Sequence, residues 1–401
     1  MKSTAELIGA DPGWIILVKA ALVFIVCVVL TIMSVWGERR IVARMQQRVG
    51  PNRVGKFGLI QALADGVKLA LKEDLIPERS DRFMFRLAPY LALVPAFLAF
   101  AIIPLGGDFR DGKGGLVTLF GHQTRLQLAD PPVGVLFALA ISSIAVYGIM
   151  LAGWSSGSKY PLLGAVRASA QMVSYEAALG LSLGAVLLVS GTLSTAGIVN
   201  MQSSIGNWNI VATGFVPFVI FLIAATAELN RPPFDLVEAE QELVGGFNTE
   251  YSSIRFALFF LAEFMNTVTM SALIVTLFFG GPQPIAIGNT TLDIPFIPNA
   301  IEGTVWLLLK VLVFLYIYVW FRATLPRFRY DQLMDLGWKI LIPGSLGWFM
   351  LLAAQRVGRD AGWDQMVVTL VTALVLIGGY GLLLAAQHVS RVNREKDGAS
   401  F

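Results

Sequence analysis

The sequence has little of the chemistry that redox and metal sites require. Cys27 is the only cysteine among 401 residues, and it lies inside an apolar run. A single thiol forms no disulfide within the chain and cannot ligate an iron–sulfur cluster. The two histidines, His122 and His388, are far apart and stand in no ligand-like spacing. No GxGxxG opens a helix and there is no P-loop. If the protein takes part in redox chemistry, the electron carriers belong to a partner. Charged residues make up only 14% of the chain, and a net charge of +3 gives no argument for nucleic acid. There is no internal repeat, no low-complexity tract and no long linker, so the chain reads as one integral domain.

What the chain does have is apolar sequence. Hydrophobic residues make up 56% of it and mean hydropathy is +0.68, the composition of a polytopic membrane protein. Runs of about 20 apolar residues cross a bilayer as helices. Nine are expected, at 14–36, 87–105, 133–153, 162–189, 211–228, 255–280, 301–322, 337–354 and 364–387. The first is too long for a cleavable signal core and has a poor basic region before it. The fold class is therefore an all-α bundle of about nine transmembrane helices. Placing the N-terminus outside puts 22 of the 30 Lys and Arg on the inner side, 11 of them in the first inner loop. Nine spans then leave the C-terminus inside.

The inner loops carry the polar chemistry. Gln61, Asp65, Lys68 and Lys72 form one narrow stripe on a short helix over 57–72. That helix either lies in the headgroups with its stripe in water or turns the stripe toward a cavity. Residues 228–263 carry seven acids: Glu228, Asp235, Glu238, Glu240, Glu242, Glu250 and Glu263. Spacing stacks Asp235, Glu238 and Glu242 on one helical face, with Glu240 pointing away. Neighbouring carboxylates in a low-dielectric site cannot both ionise cheaply, so such a group loads and unloads a proton when a nearby charge changes. The alternative is a solvated loop whose acids face water. Glu263, about two turns into the sixth span, argues against that alternative. So does Glu176, near the middle of the fourth, because intramembrane acids usually mark ion or proton paths. Lys310, central in the seventh span, is expected to be a counter-charge for one of these acids. The basic residues of GERRIVARMQQRVGPNR and FRATLPRFRYDQL are accounted for mainly by topology and anionic lipid. Glu38, at the inner end of the first span, can pair with Arg39 or with a basic residue from another loop.

GERR at 37–40, QRVGPNRVG at 47–55, KEDLIP at 72–77, AGWSSGSKYPLLGAVRASAQMVSYE at 152–176, RPPFDLVEAEQELVGGFNTEYSSIRFALFFLAEF at 231–264 and LPRFRYDQLMDLGWKILIP at 325–343 occur in this order. Together these segments resemble the quinone-site membrane subunit family of respiratory complex I. The resemblance implies an eight-helix tilted bundle whose first, third and fourth inner loops wall a quinone tunnel, with the helix at 57–72 facing the cavity. It implies that Glu176, Glu238, Glu240, Glu242, Glu250 and Glu263 form an acidic proton path. It also implies that Glu38, Arg39, Asp65, Phe234, Arg322 and Arg327 line the quinone cavity. The implied substrate is a quinone, either ubiquinone or menaquinone, with no cofactor bound by this chain. FMN and iron–sulfur clusters would reside in partner subunits: hydrophilic-arm subunits bearing the terminal cluster, with small and antiporter-like membrane subunits alongside. The implied location is the bacterial plasma membrane, equivalent to the mitochondrial inner membrane.

One segment departs from that pattern. Residues 355–401, a ninth helix and tail, exceed the eight-helix core expected at 1–354. The other functions consistent with these residues are a homologous subunit of a hydrogenase or ferredoxin-linked complex, a stand-alone proton-coupled transporter, and a passive anchor.

Overall fold

The computed structural model describes residues 11–109, 114–119, 121–236, 243–287, 290–292, 294–295 and 297–396. The long helices are α1 (Gly13–Met45), α3 (Arg82–Phe100), α4 (Gly134–Ser155), α5 (Lys159–Ser190), α6 (Phe215–Glu228), α7 (Ser253–Phe278), α8 (Asn299–Thr324), α10 (Ile342–Asp360) and α11 (Gln365–Lys396). Shorter ones lie among them, including α2 (Gln61–Leu71), α9 (Tyr330–Asp335) and the helical turns Thr195–Met201 and Asn209–Ala212, and a π-helical turn over Leu336–Leu341 joins α9 to α10. Only two small antiparallel hairpins interrupt the helical pattern among the described residues. One of them, a small cap after α3, pairs Leu116–Leu119 with His122–Arg125.

Among the described residues seven helices are long and apolar enough to cross a membrane, and two shorter apolar helices stand where the fifth and ninth spans are expected. The fifth runs from Phe215 to Glu228 rather than from 211. Gly214, at φ 74°, separates it from a helical turn at Asn209–Ala212. Fourteen residues span about 21 Å. The second span begins earlier than expected because the Asp81 carboxylate accepts from the amides of Phe83 and Met84 and caps α3.

α7 is the central post, packing against α1, α3 and α8. Its Thr267, Thr269, Ser271 and Thr276 hydroxyls donate to carbonyls one turn back, so these polar side chains are satisfied within the helix itself. Small residues bring α3, α4 and α5 together. A Cβ at Gly148 would meet the Ala92 backbone nitrogen at 2.6 Å, and one at Gly153 would collide with the Pro161 carbonyl. Without a hydrophobic drive between helices in lipid, such close approach supplies the packing. At the far end, α11 packs on α10 through Gly358 against Val368 and a 3.0 Å bond from Gln355 to Thr369.

Candidate functional site

The site begins at the inner end of α1. Glu38 is buried, and its carboxylate accepts from Arg231 Nη1 at 2.5 Å and from Arg322 Nη1 on its other oxygen. Arg322 stands in the last turn of α8 and is half-exposed. Glu38, Arg39, Arg48 and Arg322 line an open basic mouth together with Gly50 and Pro51. Arg39 pairs with Asp65 of α2 at 2.7 Å, and Gln61 donates to the other Asp65 oxygen at 3.1 Å. The polar stripe of α2 is thus divided. Gln61 and Asp65 turn to the mouth, Lys68 and Lys72 are exposed, and Leu63, Val67 and Leu71 form an exposed apolar edge.

A separate aromatic cluster forms at the turn after α6. Phe234 is buried between Tyr175 and Phe328, each with its ring centroid 5.5 Å away. Arg327 donates to Asp235 at 3.1 Å. Gln171 Nε2 holds the turn by donating to the carbonyls of Ala227 at 2.7 Å and Phe234 at 3.0 Å.

From Glu38 a polar trail runs into the bundle. Arg231, 3% exposed, carries Glu38 on one nitrogen and Glu263 at 3.2 Å on another, with its guanidinium 4.3 Å above the Phe264 ring. Glu263 lines a cavity with Glu228, Asn230, Asn248 and Asn266. Glu228, at the end of α6, is buried beside Ser142 and Glu176. Glu176 in turn accepts from the Ser143 hydroxyl. Glu176 borders a groove lined by Tyr147, Ser174, Met334 and Trp338, and Trp338 Nε1 donates to Ser174 at 3.1 Å. The Tyr318 hydroxyl lies beside Thr226, Glu228 and Arg231. A separate apolar cavity opens between α1, α7 and α8, with Glu38 and Arg231 at its wall and Met33, Leu312 and Tyr316 around it.

The structure therefore gathers Glu38, Arg39, Asp65 and Arg322 at one mouth, and Glu263, Glu228 and Glu176 along one trail. Three expected acids, Glu238, Glu240 and Glu242, lie outside the described residues. Asp235, expected on their face, turns to Arg327 beside the aromatic cluster. Glu250 is half-buried in the turn before α7 and makes no ion pair among the described residues. Lys310 corrects its expectation. Its ammonium donates to the carbonyls of Phe279 at 2.8 Å, Gly281 at 3.0 Å and Gln283 at 2.8 Å, and sits 5.2 Å from the Trp208 ring. It satisfies the carbonyl end of α7 rather than a carboxylate, because the turn after Phe278 delivers three acceptors to it.

Sequence reasoning missed Arg231, Ser142, Ser143 and Tyr318. Arg231 follows Glu228 by three residues, but in an inner loop a lone basic residue reads as topology. The serines are ordinary in a transmembrane helix. Nothing local marks either as a partner of an acid.

Two loop groups outside the spans are tuned by burial. Burial pushes the Tyr251 phenol up to about 12, opposed by the Ser155 hydroxyl and the Arg255 guanidinium. It stays protonated and donates to the Phe85 carbonyl at 3.2 Å, pinning the 243–252 segment to α3. On the cap after α3, burial lowers Arg125 from its ordinary value, and Asp130 at 3.9 Å opposes the shift.

An all-helical membrane protein with an open basic mouth and buried carboxylates defines the class. Comparison with known proteins specifies the family. The sequence model of the family described as NADH dehydrogenase matches residues 18–353. A protein of Frankia alni, named as the H-type subunit of NADH-quinone oxidoreductase, is 53% identical over 373 residues, covering 92% of this chain and 79% of the relative. The protein of the same name from Frankia casuarinae is 54% identical over 381 residues, covering 92% and 81%. That of Streptomyces avermitilis is 47% identical over 397 residues, covering 98% and 83%. The chain belongs to this NADH dehydrogenase family.

Proposed function

We propose that this chain is the membrane subunit of a proton-translocating NADH–quinone oxidoreductase that admits quinone to the complex and passes its reduction on as protonation changes. The observation that carries this reading is the polar trail from the Arg39–Arg322 mouth through Glu38, Arg231, Glu263 and Glu228 to Glu176. The apolar cavity between α1, α7 and α8 suits the isoprenoid part of a quinone, and the basic mouth suits a headgroup that gains negative charge. A soluble neighbour supplies the electrons, since one cysteine cannot hold a cluster. The same neighbour supplies the groups that protonate the headgroup. The N-terminus lies outside and the C-terminus in the cytoplasm.

Glu228 and Glu176 are the storage element. Two adjoining carboxylates hold one proton between them more cheaply than two charges. One new charge about 4 Å away, at an effective dielectric near 20, is worth about 4 kcal/mol. That is about a thousandfold in proton occupancy, enough to decide which carboxyl carries the proton. The resemblance assigns Glu238, Glu240, Glu242 and Glu250 to the same path, and antiporter-like partners receive the change beyond Glu176.

Replacement tests the role. Glu176→Gln or Glu228→Gln is expected to cut quinone-linked proton pumping in membrane vesicles at least ten-fold. NADH oxidation by a hydrophilic artificial acceptor stays intact and the complex remains assembled. Normal pumping in both variants refutes the proton role, and recovery of the chain without any NADH-oxidising subunits refutes the assignment to this complex.

A further inference from the structure

Four charges in successive ion pairs running inward from the mouth alternate in sign. Arg322 is half-exposed, Glu38 and Arg231 are buried, and Glu263 faces the inner cavity. Glu38 is shared by two arginines and Arg231 by two carboxylates, so each inner member is divided between neighbours. The guanidinium is well shaped for this, since its planar fork presents separate donors to two carboxylates. In a buried site the strength of each pair depends on how far its partner is engaged elsewhere.

We propose that Arg231 is a positioning residue that keeps Glu263 ionised. An anionic, reduced quinone headgroup at the Arg39–Arg48–Arg322 mouth draws Arg322 off Glu38, which pulls Arg231 toward Glu38 and away from Glu263. Glu263 then takes up a proton from the cavity it shares with Glu228. This rests on the proposed quinone function and names the element that links its two ends. Packed around Glu263, the charged groups among the described residues are Arg231 from the turn after α6 and Glu228 from α6. α3, α4, α5 and the 245–248 turn contribute Ala92, Ala145, Ile149, Met172, Phe247 and Asn248 to the same cavity. Glu38 is joined to Glu263 through Arg231, and Arg322 to Arg231 through Glu38.

The arrangement makes two neighbouring substitutions act in opposite directions. In Arg231→Gln, Glu263 loses its cation and holds a proton before any quinone is reduced. In Glu38→Gln, Arg231 is left to Glu263, which stays ionised throughout. A generic packing defect would move both variants the same way.

The test is redox-induced infrared difference spectroscopy on the purified complex, reduced with NADH in the presence of short-tailed ubiquinone or menaquinone. The band to follow is the protonated-carboxyl band that Glu263→Gln abolishes. In the wild type it is expected to appear on reduction. In Arg231→Gln it is expected already in the oxidised state, and in Glu38→Gln in neither state, with the redox-linked amplitude falling at least five-fold in both. If Arg231→Gln does not assemble, Glu38→Gln decides alone. A wild type without a Glu263 band, or variants with the wild-type amplitude, overturns the inference while leaving the quinone reading in place. Normal pumping in Glu263→Gln overturns the role of Glu263 in both.

Discussion

At the residue scale, the partners of a buried charge separate those that hold the fold from those proposed to move protons. Lys310 and Arg231 are both cations inside the bundle, yet their surroundings differ in kind. Lys310 meets three carbonyls, which do not titrate, so its charge has no exchange partner and serves to close the end of α7. Arg231 meets two carboxylates, which do titrate. Lys310→Met leaves three carbonyls without their donor. At about 1.5–3 kcal/mol for a charge-assisted bond and with some compensation by water, the loss is expected to be about 3 kcal/mol. Thermal unfolding of the purified complex should show this chain destabilised, while protons pumped per NADH in the surviving complex stay at the wild-type value. A lowered proton ratio at unchanged stability would return Lys310 to the proton path.

At the scale of elements, close helix contact sets where the acids lie. α3 and α4 touch at Gly148, where any side chain would collide with the Ala92 backbone. Ala145 and Ile149, on either side of Gly148, line the Glu228–Glu263 cavity. Gly148→Val is therefore expected to cost about 1–3 kcal/mol or more by overpacking, to widen the α3–α4 gap and to lower pumping together with thermal stability. Thermal-shift and vesicle assays read both effects. α11 makes the contrary case. It meets α10 through Gly358 and Gln355, far from the mouth and the trail, and much of its outer face is exposed apolar surface. Truncation after Asp360 is expected to keep quinone-linked activity within about two-fold, since the 1–354 core holds every trail residue. A loss beyond ten-fold would make the extension part of the working core. Here the energetic stake is the apolar area one helix buries against another, with the Gln355–Thr369 bond.

At the scale of the whole molecule, the proposed function depends on joining the basic mouth to carboxylates held among apolar helices. The buried cations are committed to partners: Lys310 to three carbonyls, Arg231 to Glu38 and Glu263, and Lys19 to Asp11. Much of this architecture is legible in the residues. Apolar run length places the helices to within a few residues, and Glu176 and Glu263 stand out because an acid in such a run is costly. The mouth is legible only through family resemblance, which puts Glu38, Arg39, Asp65 and Arg322 at one place. Lys310 reads as a counter-charge in the sequence because the carbonyls it binds carry no signature in side-chain identity. Glu228 is visible there as an acid but not as the neighbour of Glu176.

The sequence by itself determined the helical class, the positions of the spans and the presence of acids within them, because hydropathy and helix period are local properties that read directly along the chain. Only the tertiary structure decided which charges meet. Glu38 lies 193 residues from Arg231 and 284 from Arg322, yet it bonds both. Those meetings follow from how helices cross and which faces they bury. A charge in a low-dielectric interior takes whatever partner that packing brings within reach, not the one nearest in sequence.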